Sequence, residues 1–224
     1  GIVFCPLPWM EEEDDDLMQE RSNEESLRSM IVIIDYGMGN LRSVWKALEQ
    51  VGAQVKVSDD PREIQRAQGV VLPGVGAFAP AMRHLEERGL LETVRAILTT
   101  RSKPFLGICL GLQLLMEESE EDGPVEGMRI IPGYCRRFVT QLKVPHMGWN
   151  QVAWKSSSAL FEGIPNNSYF YFVHSYYVQP RDVSWTSGIT HYEHEFTSAI
   201  SKDDRIFAVQ FHPERSQLRG LKIL

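Results

Sequence analysis

A thiol, an imidazole and a carboxylate in this sequence sit in surroundings that suit nucleophilic catalysis. Cys109 lies in Gly107-Ile108-Cys109-Leu110-Gly111, a Gly-x-Cys-x-Gly run between a short apolar strand (from Pro104) and a helix. A chain reversing that sharply crowds its neighbours, so residues without Cβ are needed on either side. The turn would push the sulfur out of the sheet at a helix N-terminus, where unpaired N–H groups favour a thiolate. A lone cysteine in an apolar run is also a common buried hydrophobe, so the glycines alone do not decide its role. His212 closes the strand Phe207–Phe211 and precedes Pro213 and Glu214. Proline disfavours the α region for the residue before it, which holds His212 extended. Residues two apart in an extended segment share a side, so Glu214 is expected beside His212, accepting from Nδ1 and leaving Nε2 as a base. A surface His-Pro-Glu turn is the plainer alternative; an elbow cysteine at another strand end favours the triad. An α/β-hydrolase places its acid before the histidine, whereas here the acid comes after it.

The other histidines are weaker candidates. His84 is expected mid-helix and solvated. His191 and His194, read within one strand, would point to opposite faces and so not share a metal. His146 and His174 fall near strand ends and could be structural or substrate-facing.

Along the chain, Ile31–Asp35 is an apolar strand, succeeded by the glycine turn Tyr36–Asn40 and a helix carrying Leu41, Val44 and Leu48. Arg42 stands where the third glycine of G-x-G-x-x-G would be, which argues against dinucleotide binding. Strands at 54–57 and 69–72 come next, then the loop Pro73-Gly74-Val75-Gly76 and a helix interrupted near Gly89. This rhythm predicts a parallel sheet covered by helices, with sites at the carboxyl ends of strands, where both Pro73–Gly76 and Cys109 lie. From Gly127 onward β-branched and aromatic segments (135–139, 151–154, 169–178, 185–192, 197–201, 206–211) replace helices. No repeat or linker divides residues 30–224.

The net charge of −7 over 224 residues is carried by residues 1–29, whose nine acidic side chains include the run Glu11–Asp16. That segment is expected to be a disordered extension, with Met30 a plausible natural start. The remainder is neutral, with no electrostatic case for nucleic acid or a membrane. No apolar run is long enough to span a bilayer, and no secretory leader is recognisable. Three distant cysteines, Cys5, Cys109 and Cys135, suggest a reducing, cytoplasmic setting rather than a disulfide framework.

With these residues in view, Gly107–Gly111 with Gln113, and Gln210-Phe211-His212-Pro213-Glu214, resemble the class I (triad) glutamine amidotransferases. Segments 35–41, Pro145–Asn150 and Tyr171–Tyr177 narrow the likeness to the glutaminase subunits of imidazole glycerol phosphate synthase. The resemblance covers Met30 to Leu224. It implies a single-domain α/β, flavodoxin-like fold with a central mostly parallel sheet, flanking helices and added C-terminal strands. It further implies Cys109 as nucleophile, His212 as acid and base, and Glu214 as orienting acid. The oxyanion hole would be formed by N–H groups at Val75, Gly76 and Leu110. Gln113, Glu121 and the backbone of Ser175 and Tyr176 would hold L-glutamine. No cofactor or metal is implied. The partner implied is a (β/α)8-barrel cyclase subunit in a heterodimer, touching segments 35–41 and 145–150, with the Pro73–Gly76 loop as a partner-controlled peptide switch. Arg215 stands where lysine is more usual in the family, and the chain stops inside a terminal helix that the family continues. The glutaminase subunit of pyridoxal phosphate synthase, a non-catalytic module on the same fold and a cysteine peptidase are the alternatives.

Overall fold

A computed structural model describes residues 29–224; the acidic segment and Cys5 lie outside the described residues. Five parallel strands form the centre: β1 (Ile31–Ile34), β2 (Val55–Ser58), β3 (Gly69–Gly74), β4 (Phe105–Cys109) and β13 (Ile206–Val209), in the spatial order β2-β1-β3-β4-β13. Apart from the edge strand β2, which carries Lys56 and a part-exposed Val57, their near-continuous apolar character suits strands covered on both faces. Helices α1 (Leu41–Gln50), α2 (Pro61–Arg66), α3 (Phe78–Glu87) and α4 (Leu91–Thr100) provide the cover. Asn40 caps α1 by accepting from the Ser43 N–H, and Asp60 caps α2 by accepting from Arg62. The expected break near Gly89 is the gap between α3 and α4, where Gly89 has φ +67°.

The C-terminal half extends the sheet. Antiparallel β12 (His194–Lys202) lies beside β13, and beyond it come β10 (Tyr176–Pro180), β7 (Ile131–Arg137), β5 (Met116–Ser119) and β6 (Val125–Glu126). A branch leaves β12 through β11 (Thr186–Tyr192), β8 (His146–Trp154) and β9 (Ser168–His174). The expected strand 169–178 is therefore two strands, parted at Ser175. The stretch containing His191 and His194 is not one strand but the hairpin β11–β12, turning at Glu193 with φ +63°. His84 is not simply solvated: its Nδ1 lies 3.2 Å from the Tyr36 carbonyl oxygen.

The elbow is at the end of β4. Cys109 has φ +54° and ψ −107°, a conformation that a side chain bearing Cβ adopts only under constraint. The constraint is close approach. A Cβ on Gly111 would lie 2.0 Å from the Leu72 carbonyl oxygen, and one on Gly107 would lie 2.8 Å from that of Gly111. The elbow helix α5 (Leu110–Gln113) is shorter than expected, a single turn. The expected helix N-terminus at the sulfur therefore consists of first-turn N–H groups without a developed macrodipole. The chain ends in α6 (Gln217–Ile223), packed so tightly on the His-Pro-Glu turn that a Cβ on Gly220 would lie 1.9 Å from the Pro213 carbonyl oxygen.

Gly111→Ala must separate the elbow from β3. Urea denaturation is expected to show a loss of about 1–3 kcal/mol, the usual cost of overpacking. Unchanged stability would mean that the contact yields freely.

Candidate active site

Two neighbouring strand ends set the spacing of the site. Parallel β4 and β13 pair with Ile108 opposite Val209, and β3 pairs with β4 so that Gly74 stands opposite Cys109. Cys109 therefore lies between the Pro73–Gly76 loop and the chain leaving β13. A cavity of about 320 Å³ opens there, lined by Val75, Gly76, Cys109, Leu110, Gln113, Glu121, Ser175, Tyr176 and His212, among others. The sequence-derived site residues thus converge, with Glu214 directly behind His212.

His212 is extended, at φ −102° and ψ 97°. Its N–H donates to the Tyr171 carbonyl (2.9 Å) and its own carbonyl accepts from the Ser216 hydroxyl (2.6 Å), so β9 and the last turn hold it. Residues 213–215 form a 3-10 turn. Glu214 reaches His212 through this turn, not through the strand alternation expected from sequence; Oε1 lies 2.8 Å from Nδ1, with both side chains buried. The carboxylate can only accept, which fixes the proton on Nδ1. Nε2 is buried without a hydrogen bond of normal geometry, yet close enough for the Cys109 sulfur to act on it. Burial works to lower the His212 pKa, but Cys109 and Glu214 together outweigh it and push it up to about 10.

Of the two described cysteines, Cys135 is fully buried, and burial raises its thiol well above the usual range. Cys109 lines the cavity, and its sulfur accepts from Gln210 Nε2 at 3.6 Å. Gln210 was not singled out by sequence reasoning, although it lies in the motif ending at Glu214. Its Oε1 accepts from Gln113 Nε2 at 3.2 Å, and that same Nε2 donates to the Tyr176 carbonyl at 3.0 Å. Both N–H bonds of Gln113 are used, leaving Oε1 as an acceptor. Glu121 does two things at once: it lines the cavity and caps α3 by accepting from the Phe78 N–H at 2.8 Å. Burial raises its carboxyl pKa despite that bond. His174, Val173 and Pro145 also line the cavity.

A strained thiol at an elbow, a buried imidazole held by a carboxylate, and polar groups for a small zwitterion suit acyl transfer from an amide. The description "Glutamine amidotransferase class-I" belongs to the family model matching residues 32–222. The chain belongs to the class-I glutamine amidotransferase family. Within it, the chain is 54% identical over 194 residues to the imidazole glycerol phosphate synthase subunit HisH of Moorella thermoacetica, covering 87% of this chain and 91% of the relative. It is 50% identical over 200 residues to the HisH subunit of Microcystis aeruginosa, covering 88% and 93%. It is thus a glutaminase of the HisH kind. Solved structures agree in fold. A glutamine amidotransferase matches with TM-score 0.66 and 16% identity, over 85% of this chain and 94% of that one. PurLQS from Thermotoga maritima matches with TM-score 0.66 and 17% identity, over 87% and 94%.

The raised His212 pKa has a sign-defined consequence. Its favourable charged form contributes stability fully present below the unfolded value of 6.5 and lost as pH rises through about 10. The stability advantage of the wild type over Glu214→Gln should therefore shrink across that window in urea denaturation. A constant advantage would mean that Glu214 does not hold the His212 charge.

Proposed function

We propose that Cys109, His212 and Glu214 carry out the glutamine hydrolysis, and that the ammonia passes to a (β/α)8-barrel cyclase subunit making imidazole glycerol phosphate. The Cys109 thiolate attacks the side-chain amide carbon of glutamine. Backbone N–H groups at Leu110 and at Val75 or Gly76 receive the developing oxyanion. The His212 imidazolium gives its Nε2 proton to the departing nitrogen, releasing ammonia and leaving a glutamyl thioester on Cys109. His212 then takes a proton from water, the hydroxide displaces the sulfur, and glutamate leaves with the thiolate restored. Glu214 holds the imidazole in the tautomer and orientation this needs. Gln113 Oε1, the Glu121 carboxylate and the Ser175–Tyr176 backbone hold the amino-acid end. The single observation carrying this reading is the 2.8 Å Glu214–His212 bond behind a strained cysteine in the same cavity.

A partner is supported by the surface beside the cavity mouth. Met147, Trp149 and Tyr169 are large hydrophobic side chains left about half exposed, and Trp149 and Tyr169 flank one depression with Leu218. Apolar groups clustered in this way suit burial by a second protein. The adjacent Arg215 guanidinium carbon lies 4.5 Å over the Tyr171 ring, a cation–π contact. Val75, on the loop beside Cys109, is also exposed. Gly76 has φ +103°, and a Cβ there would lie 2.8 Å from Met38 Cε of the glycine turn. Docking on Tyr36–Asn40 would thus be felt at the oxyanion loop, where partner contact turns a peptide N–H toward the substrate. Among the described residues no helix is long and apolar enough to cross a membrane.

The test mixes the chain with a cyclase subunit and that subunit's nucleotide ligand and measures glutamate formed from glutamine. Stimulation is expected, with Cys109→Ala abolishing it and Glu214→Gln lowering kcat on the order of 10²- to 10⁴-fold. An intact complex without stimulation would contradict the partner assignment, and Gly76→Ala with unchanged basal and stimulated rates would contradict the loop switch.

A further inference from the structure

The glutamine chemistry leaves two buried histidines beside the cavity without a task. His174 lines it next to Ser175 and Tyr176, and His146 stands opposite His174 in the β8–β9 register. Their hydrogen bonds form a single directed chain. His174 Nδ1 is 2.8 Å from the Tyr176 carbonyl oxygen, which can only accept, so the proton is on Nδ1. His174 Nε2 is then a lone pair, and it lies 2.9 Å from His146 Nδ1, which must donate. That leaves His146 Nε2 to accept from Asn150 Nδ2 at 3.1 Å. Asn150 uses its second N–H on the His191 carbonyl (3.0 Å), and its Oδ1 accepts from the Gln151 N–H (2.8 Å). Every donor in the chain meets an acceptor only if both rings are neutral.

The surroundings keep them so. Phe138, Phe172 and Phe196 pack against both rings, and Tyr192 lies over His146 at 4.2 Å between centroids. Burial lowers the His146 pKa to about 4 and that of His174 to about 3. The inner end of the chain is a backbone carbonyl just after the break between β9 and β10. Pairing with β7 holds the neighbouring Ser175 carbonyl, which accepts from the Phe138 N–H, and sets Tyr176 opposite Arg137, whereas the Tyr176 carbonyl itself is gripped by two side chains, His174 and Gln113. The outer end lies on β8, between the exposed Met147 and Trp149 and the β11 turn.

We propose that His146 and His174 form a neutral hydrogen-bonded strut that positions the Ser175–Tyr176 backbone to hold the amino-acid end of glutamine, with Asn150 anchoring the strut on the β8 face. The inference rests on reading Ser175–Tyr176 as the glutamine-holding backbone. His146 and His174 are positioning residues in it, and neither exchanges a proton with the substrate.

Two polar variants separate the strut from mere packing. In His146→Asn the amide N–H takes the place of Nδ1–H and can still donate to His174; in His146→Gln it takes the place of Nε2 and cannot. On the full chain in complex with the cyclase subunit and that subunit's nucleotide ligand, Cys109 is alkylated either by 6-diazo-5-oxo-L-norleucine, which carries the amino-acid end of glutamine, or by iodoacetamide, which does not. The rate ratio of the two reagents reads positioning alone. His146→Gln is expected to lower that ratio about tenfold and to raise the glutamine KM about equally with kcat little changed, about the worth of one hydrogen bond. His146→Asn should restore both toward wild type. An unchanged ratio in His146→Gln overturns the proposal, as do equal losses in the two variants or equal slowing of both reagents. If the diazo ketone fails to modify Cys109 even in the wild type, the glutamine reading itself falls, and the strut with it.

Discussion

The contact between the elbow turn and β3, where Gly111 packs on the Leu72 carbonyl, governs the geometry of the whole site. Because α5 lies so close to the strand, Cys109 must enter it at positive φ, and its side chain leaves the sheet toward the cavity. Because β3 and β4 are in register up to Gly74 and Cys109, the proposed oxyanion loop starts beside the sulfur. Because β13 lies on the other side of β4, the chain leaving it brings Gln210 and His212 to the same point. The large antiparallel extension completes the cavity through the break at Ser175. Loosening the elbow would therefore disturb Cys109 and the loop together, although neither is remote in sequence from a well-packed strand.

Two sets of histidines around this cavity show how environment sets role. His212 is buried, but its Nδ1 faces a carboxylate and its Nε2 lies near a thiol, so the charged ring is favoured in spite of desolvation. His174 is equally buried, but its partners are a carbonyl and another imidazole, so nothing compensates the loss of water and the neutral ring prevails. The same side chain is thus favoured charged at one wall of the cavity and neutral, with a fixed hydrogen bond, at the other. That division suits an enzyme that must move protons at the amide end of glutamine while keeping its amino-acid end still.

What could be read from the sequence was local. Gly107 and Gly111 mark a close approach that only glycine allows, and His212-Pro213-Glu214 brings base and acid within three residues. The βα rhythm up to Cys109 predicts the parallel centre, and the β-rich half beyond Gly127 predicts its extension. Tertiary contacts decided the rest. Glu121 caps Phe78 across 43 residues, and the Gln113–Gln210 bond spans 97, which no periodicity signals. The His146–His174 pair depends on the register of β8 against β9, and a shift of one residue would turn the rings apart. The 3-10 turn at Pro213 brings Glu214 to His212 by a route that strand alternation misdescribes, and the elbow helix is a single turn with Gln210, from β13's far end, beside the sulfur.

In the proposed mechanism glutamine passes through a thioester on Cys109, formed and resolved by His212 under Glu214. Acid-quenching the chain during turnover with glutamine and mapping its peptides by mass spectrometry tests it most directly. The account predicts a glutamyl adduct on the peptide bearing Cys109, absent from Cys135 and removed by hydroxylamine. Glutamate released at full rate by Cys109→Ala, or an adduct carried by another residue, would contradict it.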